Sequence, residues 1–449
     1  MRVLNKSSEY FDMLHGVWQK ETPPSVIKRA KQSLLDYLAV TCAGARFQKA
    51  KLEKYFSFAE PENGSFKAIG TGKSLALKEA VFLNGLNGHA LDYDDGTNSG
   101  IIHLGSPIFS LLLPLAQKYD VSIEKMLGAA VIGYEASYTM AVSIQPMHKS
   151  LGYHATGTCG VLGATLAAAY MLGFTDEERF QAFATACVSA SGMLMVLDDG
   201  SELKPYNVAK SAMLALTSIQ LAKAGFKGHP DPLGHTRGFL KMMTGKDDVE
   251  LKPVLLNGTY AIEKTYTKPY ASCRYTHPAV EAAIRMRSVV KPEEVKEIVV
   301  KTYDLAVSGH DHADIRGSYS AKMSIPYSTA AGFVSGKAGL QEFSEEEIKN
   351  SEVLSLTKKV IVVSDENLSA SFPKEQTAIV EIRTTDGRKF TERVDYPKGE
   401  PENPMTDKEF KDKYDGLFAY AGYEKTISDK IYDYVASGGN SVRELLEML

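Results

Sequence analysis

Three aspartates and two histidines are crowded into one stretch of the sequence, HALDYDDGTNSGIIHLGSP. The five side chains are His89, Asp92, Asp94, Asp95 and His103. A carboxylate beside an imidazole can orient and charge it, and imidazoles titrate near neutral pH, as general acids and bases must. If the stretch begins as a helix, His89 and Asp92 share one face, and His103 follows in a glycine-containing loop. The stretch predicts an acid/base site in which Asp92 acts on His103, while the other two aspartates shape the loop.

Two other interpretations of this stretch stay open. Carboxylates and imidazoles are also common metal ligands, but the spacing is neither HExxH nor that of an EF-hand, so we predict no metal. The acids could instead be solvated at a capped helix end.

Later segments carry polar side chains that could complete a site. They are His154 in GYHATGTCG, Lys204 in ELKPYN, Lys268, Arg274 and His277 in TKPYASCRYTHPAVEAA, and Tyr327 in SIPYSTA. His154 precedes an Ala/Gly-rich helix whose first amides could help to hold an anion. Taken singly, each side chain could have only a structural role, and the lysines could be solvated.

The elements that must position these residues are mainly helical in the first half of the chain. Apolar residues recur at helical spacing in PPSVIKRAKQSLLDYLAVTCAGA, with Ser25 as the expected N-cap. A second helix is predicted over Gly160–Leu172, and the next begins with a capping box formed by Thr175 and Glu178. The many Ala and Gly residues suit helices whose backbones approach closely.

The pattern changes near Lys291. The segments VKEIVVKTY, KKVIVVSD and AIVEIRTTDGRKFTERVDY are typical of strands, and Asp386-Gly387 predicts a hairpin. Helices return after a capping box at Thr406 and Glu409. The predicted fold is mainly α with α+β. A large all-helical domain is built from both chain ends, residues 1–265 and 399–449, and a smaller α+β lid domain, residues 266–398, is inserted into it.

Composition narrows the classes of function. The chain has 449 residues, a formal charge of -4 and no basic tract, which argues against nucleic acid as a partner. Because the N-terminus does not look like a signal peptide and no apolar run is long enough to span a bilayer, we predict a cytoplasmic protein. The four cysteines form no CxxC pair, and we expect reduced, buried thiols.

In their order and spacing, several of these segments resemble the MmgE/PrpD family. They are LLDYLAVTCAGA, HALDYDD, HLGSP, YHATGTCG, LKPYN, KPYASCRYTHPAVEA, SIPYSTA and PKGEPENPMTDKEF, which together cover nearly the whole chain. The family includes 2-methylcitrate dehydratases, cis-aconitate decarboxylases and iminodisuccinate epimerases. The resemblance implies a homodimer with the same two-domain architecture that works without metal or organic cofactor.

The resemblance also implies which residues line the active site. They are Asp92, His103, His154, Lys204, Lys268, His277 and Tyr327. Either Gly96 or Thr97 takes the position of a family threonine, and we assign it to Thr97. Thr97 and the cations Lys204, Lys268 and Arg274 are expected to bind substrate. The catalytic residues are expected to be Asp92, His103, His154, His277 and Tyr327.

The predicted activity is that of a lyase that removes a proton next to a carboxylate of a small di- or tricarboxylic acid. Dehydration of a 2-methylcitrate- or citrate-like acid is favoured. An epimerase or racemase of an iminodisuccinate-like acid, or a cis-aconitate-type decarboxylase, would need the same groups. A non-catalytic dicarboxylate-binding protein would keep the cations but lose the acid/base groups, and this chain has both.

Overall fold

Helices account for most of the chain in the computed structural model, which describes residues 5–197, 201–255 and 258–449. The helices are α1 (Lys6–Trp18), α2 (Pro24–Phe47), α3 (Lys49–Ala59), α4 (Leu77–His89), α5 (Gly105–Tyr119), α6 (Ile123–Ile144), α7 (Met147–Ser150), α8 (Ala155–Thr158), α9 (Gly160–Met171), α10 (Asp176–Ser189), α11 (Lys204–Lys223), α12 (Phe239–Thr244), α13 (His277–Met286), α14 (Asp304–Val307), α15 (Ser318–Met323), α16 (Ile325–Ser335), α17 (Ser351–Thr357), α18 (Glu366–Ser371), α19 (Asp407–Ala421), α20 (Lys425–Ser437) and α21 (Val442–Glu447). The strands are β1 (Asn63–Ala68), β2 (Lys73–Leu75), β3 (Val295–Thr302), β4 (Val360–Ser364), β5 (Ala378–Thr384) and β6 (Lys389–Val394).

Local signals in the sequence set most helix starts. Both predicted capping boxes form, at Thr175 on α10 and at Thr406 on α19. The prediction of Ser25 as the N-cap of α2 is wrong: Pro23 occupies the N-cap and Pro24 the first helical position. A proline is well suited to that position because its missing N–H is not needed there and its φ angle is already helical.

Small residues let the helices of the larger domain pack closely, as the Ala/Gly-rich sequences indicate. At the contact of α6 with α9, a side chain on Gly163 would collide with Ser137 and with the carbonyl of Gly133. Helix α11 packs on α4, α9 and α10. The helices that carry the candidate residues therefore pack against one another in a single apolar core.

The α+β part is built on one four-stranded sheet in the order β4, β3, β5, β6. Strand β3 pairs in parallel with β4 and antiparallel with β5, and β5 and β6 form the predicted hairpin at Asp386-Gly387. Helix α13 packs on β5 and β6, and α16 packs on α13 and β4. The predicted fold class, mainly α with α+β, is confirmed, whereas the small β1–β2 hairpin was not predicted because its strands are short and polar.

The two ends of the chain meet in the helical part. Helix α19 packs on α2, and α21 packs on α5. A buried ion pair joins the ends, with Lys413 Nζ 2.6 Å from Asp36 Oδ1. The same ammonium donates a hydrogen bond of 3.1 Å to the carbonyl of Tyr93. The C-terminal helices therefore hold the backbone of the Asp/His stretch.

Two other features bear on the protein's class. All four cysteines are free and buried, as predicted. Within the described ranges, no helix has the length and apolar character needed to cross a bilayer.

Candidate active site

Asp92 lies outside the helix in which the sequence placed it. Helix α4 ends at His89, and Asp92 adopts a left-handed backbone conformation with a φ of 51°. This conformation is uncommon for residues other than glycine and carries a cost in strain. The predicted shared helix face of His89 and Asp92 is therefore wrong. The turn instead carries the Asp92 carboxylate to two lysines that come much later in the chain.

The carboxylate of Asp92 is held between two ammonium groups. Lys268 Nζ donates to Asp92 Oδ1 at 2.8 Å and to the Asp92 carbonyl at 2.6 Å, and Lys204 Nζ lies 2.8 Å from Oδ2. Asp92, Lys204 and Lys268 are 2%, 6% and 0% exposed, so the alternative of solvated lysines is wrong. Burial alone would raise the pKa of Asp92, but Lys204 and Lys268 hold it well below its ordinary value.

A third buried lysine, Lys322, stands behind this pair and was missed by the sequence analysis. Its ammonium donates a hydrogen bond of 2.8 Å to the carbonyl of Leu91, and burial lowers its pKa to about 7. The only signal in the sequence was a lysine two residues before SIPYSTA, which has no special spacing.

His103 is oriented by the backbone. Its Nδ1 lies 2.9 Å from the carbonyl of Asp95, so Nδ1 carries the proton and donates it, which leaves the lone pair on Nε2. Nε2 lies 3.6 Å from Asp92 Oδ1. Burial lowers the pKa of His103 well below its ordinary value, although Asp94 opposes this shift. Burial and the positive charges of Lys268 and Lys204 therefore disfavour the charged imidazole that was expected beside Asp92. The neutral ring can accept a proton.

His154 has the opposite tautomer. The side-chain amide of Asn207 donates to His154 Nδ1 at 3.0 Å, which leaves the proton on Nε2. The amide is oriented this way because Lys210 Nζ contacts Asn207 Oδ1 at 3.5 Å. Burial and the nearby Lys204 lower the pKa of His154 well below its ordinary value. Its Nε2–H is therefore a proton donor.

The other two acids of the stretch, Asp94 and Asp95, are buried, and their predicted role in ending the helix and shaping the loop stays a prediction. Asp94 Oδ1 lies 2.8 Å from His89 Nδ1. Asp95 accepts hydrogen bonds from the Tyr134 hydroxyl and from the backbone N–H of Gly105 at the start of α5. Burial raises the pKa of Asp95 to about 6.

Four of these residues could also supply ligands to a metal ion. The potential ligand atoms of His89, Asp92, Asp94 and His103 lie within 4.8 Å of one another. However, each oxygen of the Asp92 carboxylate is already 2.8 Å from an ammonium group. These two positive charges would repel a divalent cation at such short range. The charges around Asp92 therefore favour an organic anion over a metal ion.

A cavity of about 60 Å³ opens beside these groups. Its wall combines residues from both parts of the fold, including His103, His154, Lys204, Thr97, Arg274 and Gln376. Cations predominate among its charged side chains, and both histidines reach it.

The structure separates Gly96 from Thr97. Gly96 packs against Tyr266, and a side chain there would collide with the Tyr266 hydroxyl. Thr97 lines the cavity, and its hydroxyl accepts a hydrogen bond of 3.2 Å from the N–H of Gly100. Thr97 is thus the residue whose side chain is available to a ligand, and its assignment to the family threonine position stays a prediction.

The other predicted site residues divide into two groups. Arg274 lines the cavity while its guanidinium is held by Glu400. Arg274 also donates to His277 Nδ1 at 2.8 Å, and His277 Nε2 lies 3.2 Å from a backbone carbonyl. The Tyr327 hydroxyl donates to another backbone carbonyl at 2.7 Å. The structure does not bring His277 or Tyr327 to the cavity wall, and their predicted catalytic roles stay predictions.

Two further groups on the wall were not singled out in the sequence. Cys273 Sγ lies 3.5 Å from His310 Nε2. Burial would raise the pKa of this thiol, but His310 and Lys204 together lower it to about 7. Lys149 donates to the Tyr275 hydroxyl at 2.9 Å, and burial lowers its pKa to about 8. Cys273 lies within TKPYASCRYTHPAVEAA, but its thiol was not singled out there, and Lys149 lies in no stretch whose spacing suggests chemistry.

Most of the chain is similar to one known protein family. Residues 11–252 match the MmgE/PrpD N-terminal domain, and residues 270–431 match the MmgE/PrpD C-terminal domain. A cis-aconitate decarboxylase of Aspergillus terreus (strain NIH 2624 / FGSC A1156) is 26% identical over 458 residues, which cover 96% of this chain and 92% of that protein. A cis-aconitate decarboxylase of Mus musculus is 24% identical over 435 residues, which cover 92% and 87%.

Proposed function

Because the chain belongs to the MmgE/PrpD family, we propose that it is a lyase that dehydrates a citrate- or 2-methylcitrate-like acid without a metal or organic cofactor. The observation that carries the proposal is the pair of neutral histidines with opposite tautomers on one cationic cavity. Loss of water from a hydroxy acid needs a base for the proton next to a carboxylate and an acid for the departing hydroxyl.

His103 is the proposed base. Its Nε2 takes the proton from the carbon next to a carboxylate, and the electron pair left behind delocalises into that carboxylate. Lys204 and Arg274 line the cavity, where their positive charges stabilise the growing negative charge. The imidazolium formed on His103 has its Nε2 3.6 Å from Asp92 Oδ1, whose negative charge stabilises it.

His154 is the proposed acid. Its Nε2–H protonates the hydroxyl on the neighbouring carbon as the C–O bond breaks, which leaves His154 as an imidazolate beside the positive charge of Lys204. The products are water and a carbon–carbon double bond. Asn207 fixes the ring for this step because it donates to Nδ1. The proton taken by His103 returns to solvent, and a solvent proton restores His154, so the cycle is redox-neutral.

A second candidate is decarboxylation, which the names of the relatives favour. In that reaction a carboxylate leaves as CO₂, and His154 protonates the resulting carbanion. An epimerase of an iminodisuccinate-like acid would use His103 and His154 as bases on opposite faces of one carbon.

Proton NMR in D₂O tests these alternatives on one sample. The enzyme is dialysed against EDTA and incubated with citrate, 2-methylcitrate, cis-aconitate and iminodisuccinate in turn. We expect interconversion of a hydroxy acid with its unsaturated product. Release of CO₂ from cis-aconitate would instead assign the decarboxylase, and exchange at one carbon with inversion would assign the epimerase. Activity that fell on chelation and returned with one divalent ion would contradict cofactor independence.

Replacing the two lysines distinguishes substrate binding by Lys204 from structural stabilisation by Lys268. Lys204 lines the cavity, so Lys204→Met is expected to lower kcat/KM by the equivalent of about 2 to 4 kcal/mol. Lys268 is fully buried and pairs only with Asp92 among the described residues, so Lys268→Met should cost more in unfolding free energy than Lys204→Met. Steady-state kinetics and urea titration measure the two effects. Near-normal kcat/KM in both variants would contradict a role for these lysines in substrate binding.

The homodimer and the cytoplasmic location implied by the resemblance and the composition stay predictions.

A further inference from the structure

Gln376 has an unsatisfied amide on the wall of the active-site cavity. The residue lines the cavity and is 2% exposed. Neither Nε2 nor Oε1 of its side chain has a hydrogen-bond partner among the described residues. Buried polar atoms are nearly always hydrogen-bonded, and leaving one unpaired costs about 1 to 3 kcal/mol. An amide with both ends unpaired therefore points to a ligand that supplies the missing partners.

The backbone of Gln376 is fixed, so this amide does not simply lie in a loose loop. Gln376 N donates to the carbonyl of Asp395 at 3.0 Å, and the hydroxyl of the next residue, Thr377, donates to Asp395 Oδ1 at 2.9 Å. Strand β5 begins directly afterwards. The lid domain thus presents the side chain from a rigid position.

The chemistry of the amide differs from that of the cations on the wall. Lys204, Lys149 and Arg274 only donate hydrogen bonds, which suits carboxylates because carboxylates only accept them. Gln376 offers one donor group and one acceptor group. A carboxylate would satisfy its N–H and leave Oε1 unpaired, whereas a hydroxyl can accept from the N–H and donate to Oε1.

We propose that Gln376 is a specificity-determining residue that recognises the hydroxyl group of a hydroxy-polycarboxylic acid. This inference rests on the proposed function and adds which group of the substrate the lid domain recognises. Carboxylates are bound by the cations of the cavity, and the hydroxyl is bound by the amide. An acid that carries the same carboxylates but no hydroxyl leaves both ends of the amide unpaired in a buried site.

The test compares two acids that differ only in this group, citrate and propane-1,2,3-tricarboxylate, in which hydrogen replaces the hydroxyl. Binding is measured by isothermal titration calorimetry in a His103→Gln background, which prevents turnover. With Gln376 present, citrate should bind at least about tenfold more tightly than the hydroxyl-free acid, as expected for one buried polar group left unpaired.

Gln376→Met, which keeps the length of the side chain but removes both polar ends, should reduce this preference to less than about twofold. Gln376→Glu provides a second measure, because it keeps the size and the acceptor but removes the donor. It should lower the preference and weaken both acids through its charge. The matched control is Gln341→Met, an exposed position of the same domain, which should leave the preference unchanged.

The outcomes separate the two proposals. The role of Gln376 would be overturned if the protein that retains Gln376 bound both acids equally. It would also be overturned if the preference for citrate persisted in both Gln376→Met and Gln376→Glu. Either result would still leave a polycarboxylate site. If neither acid bound the His103→Gln protein that retains Gln376, the proposed function itself would be overturned.

Discussion

Replacing Asp92 with asparagine is expected to remove about 3 to 5 kcal/mol from the free energy of unfolding and to lower kcat by about a hundredfold or more. The reason is the pair of ammonium groups, each 2.8 Å from one oxygen of this carboxylate. An asparagine keeps the shape but leaves Lys204 and Lys268 buried without a counter-charge. Urea titration and steady-state kinetics on the same preparation measure both effects.

The pH dependence of stability gives a second measure of the same interaction. The pKa of Asp92 is held well below its ordinary value, so the folded state binds fewer protons than the unfolded state in acid. Its contribution is complete above about pH 4 and is lost as pH falls below that value. The Asn variant should lack this acid-sensitive part.

Asp95→Asn is the matched control for Asp92→Asn. Asp95 is equally buried but accepts its hydrogen bonds from a hydroxyl and a backbone N–H. Its replacement should therefore cost much less in activity. If the two variants lost similar activity and stability, the charge of Asp92 would have no special role and the acidic stretch would be structural throughout.

His103→Ala is expected to lower kcat by a factor of about 100 to 10,000, the range for loss of a positioned general base. The variant should also stop exchange of the substrate proton with D₂O. His154→Ala should likewise stop the loss of water, but it should retain proton exchange because the base is intact. NMR in D₂O therefore distinguishes the two histidines when turnover alone does not.

The pH profile of kcat/KM depends on the same assignment. His103 acts as a base only when neutral, so activity falls as pH drops through its pKa. Because burial lowers that pKa, this limb should lie below the ordinary histidine value of about 6.5 and should be absent from the residual activity of His103→Ala. If His103→Ala kept most of its rate and its proton exchange while His154→Ala lost both, the base would be His154.

Local features of the fold could be predicted because neighbouring residues determine them. The capping boxes at Thr175 and Thr406 need only residues three positions apart, and the hairpin at Asp386-Gly387 needs only a turn between two strand patterns. The β-branched residues of the strand segments predicted those strands. These signals were sufficient to identify the fold class.

The interior of the site was less predictable because it depends on contacts between distant parts of the chain. Asp92 and Lys268 are 176 residues apart, and nothing local indicates that they form a buried pair. The left-handed backbone of Asp92 also has no signal in the sequence around it. Gln376 lies in no motif at all, and its place on the cavity depends on the packing of the segment that leads into β5.

The volume of the active-site cavity has a consequence for the time course of turnover. The cavity of about 60 Å³ holds only a handful of water molecules, so a citrate-sized acid must displace them when it binds. We expect the α+β part to move away from the helical part before substrate enters and again before product leaves. Such domain motions commonly take microseconds to milliseconds and often limit turnover. Solvent viscosity should then slow kcat, and a deuterium isotope effect on the proton removed by His103 should be partly masked by the opening step.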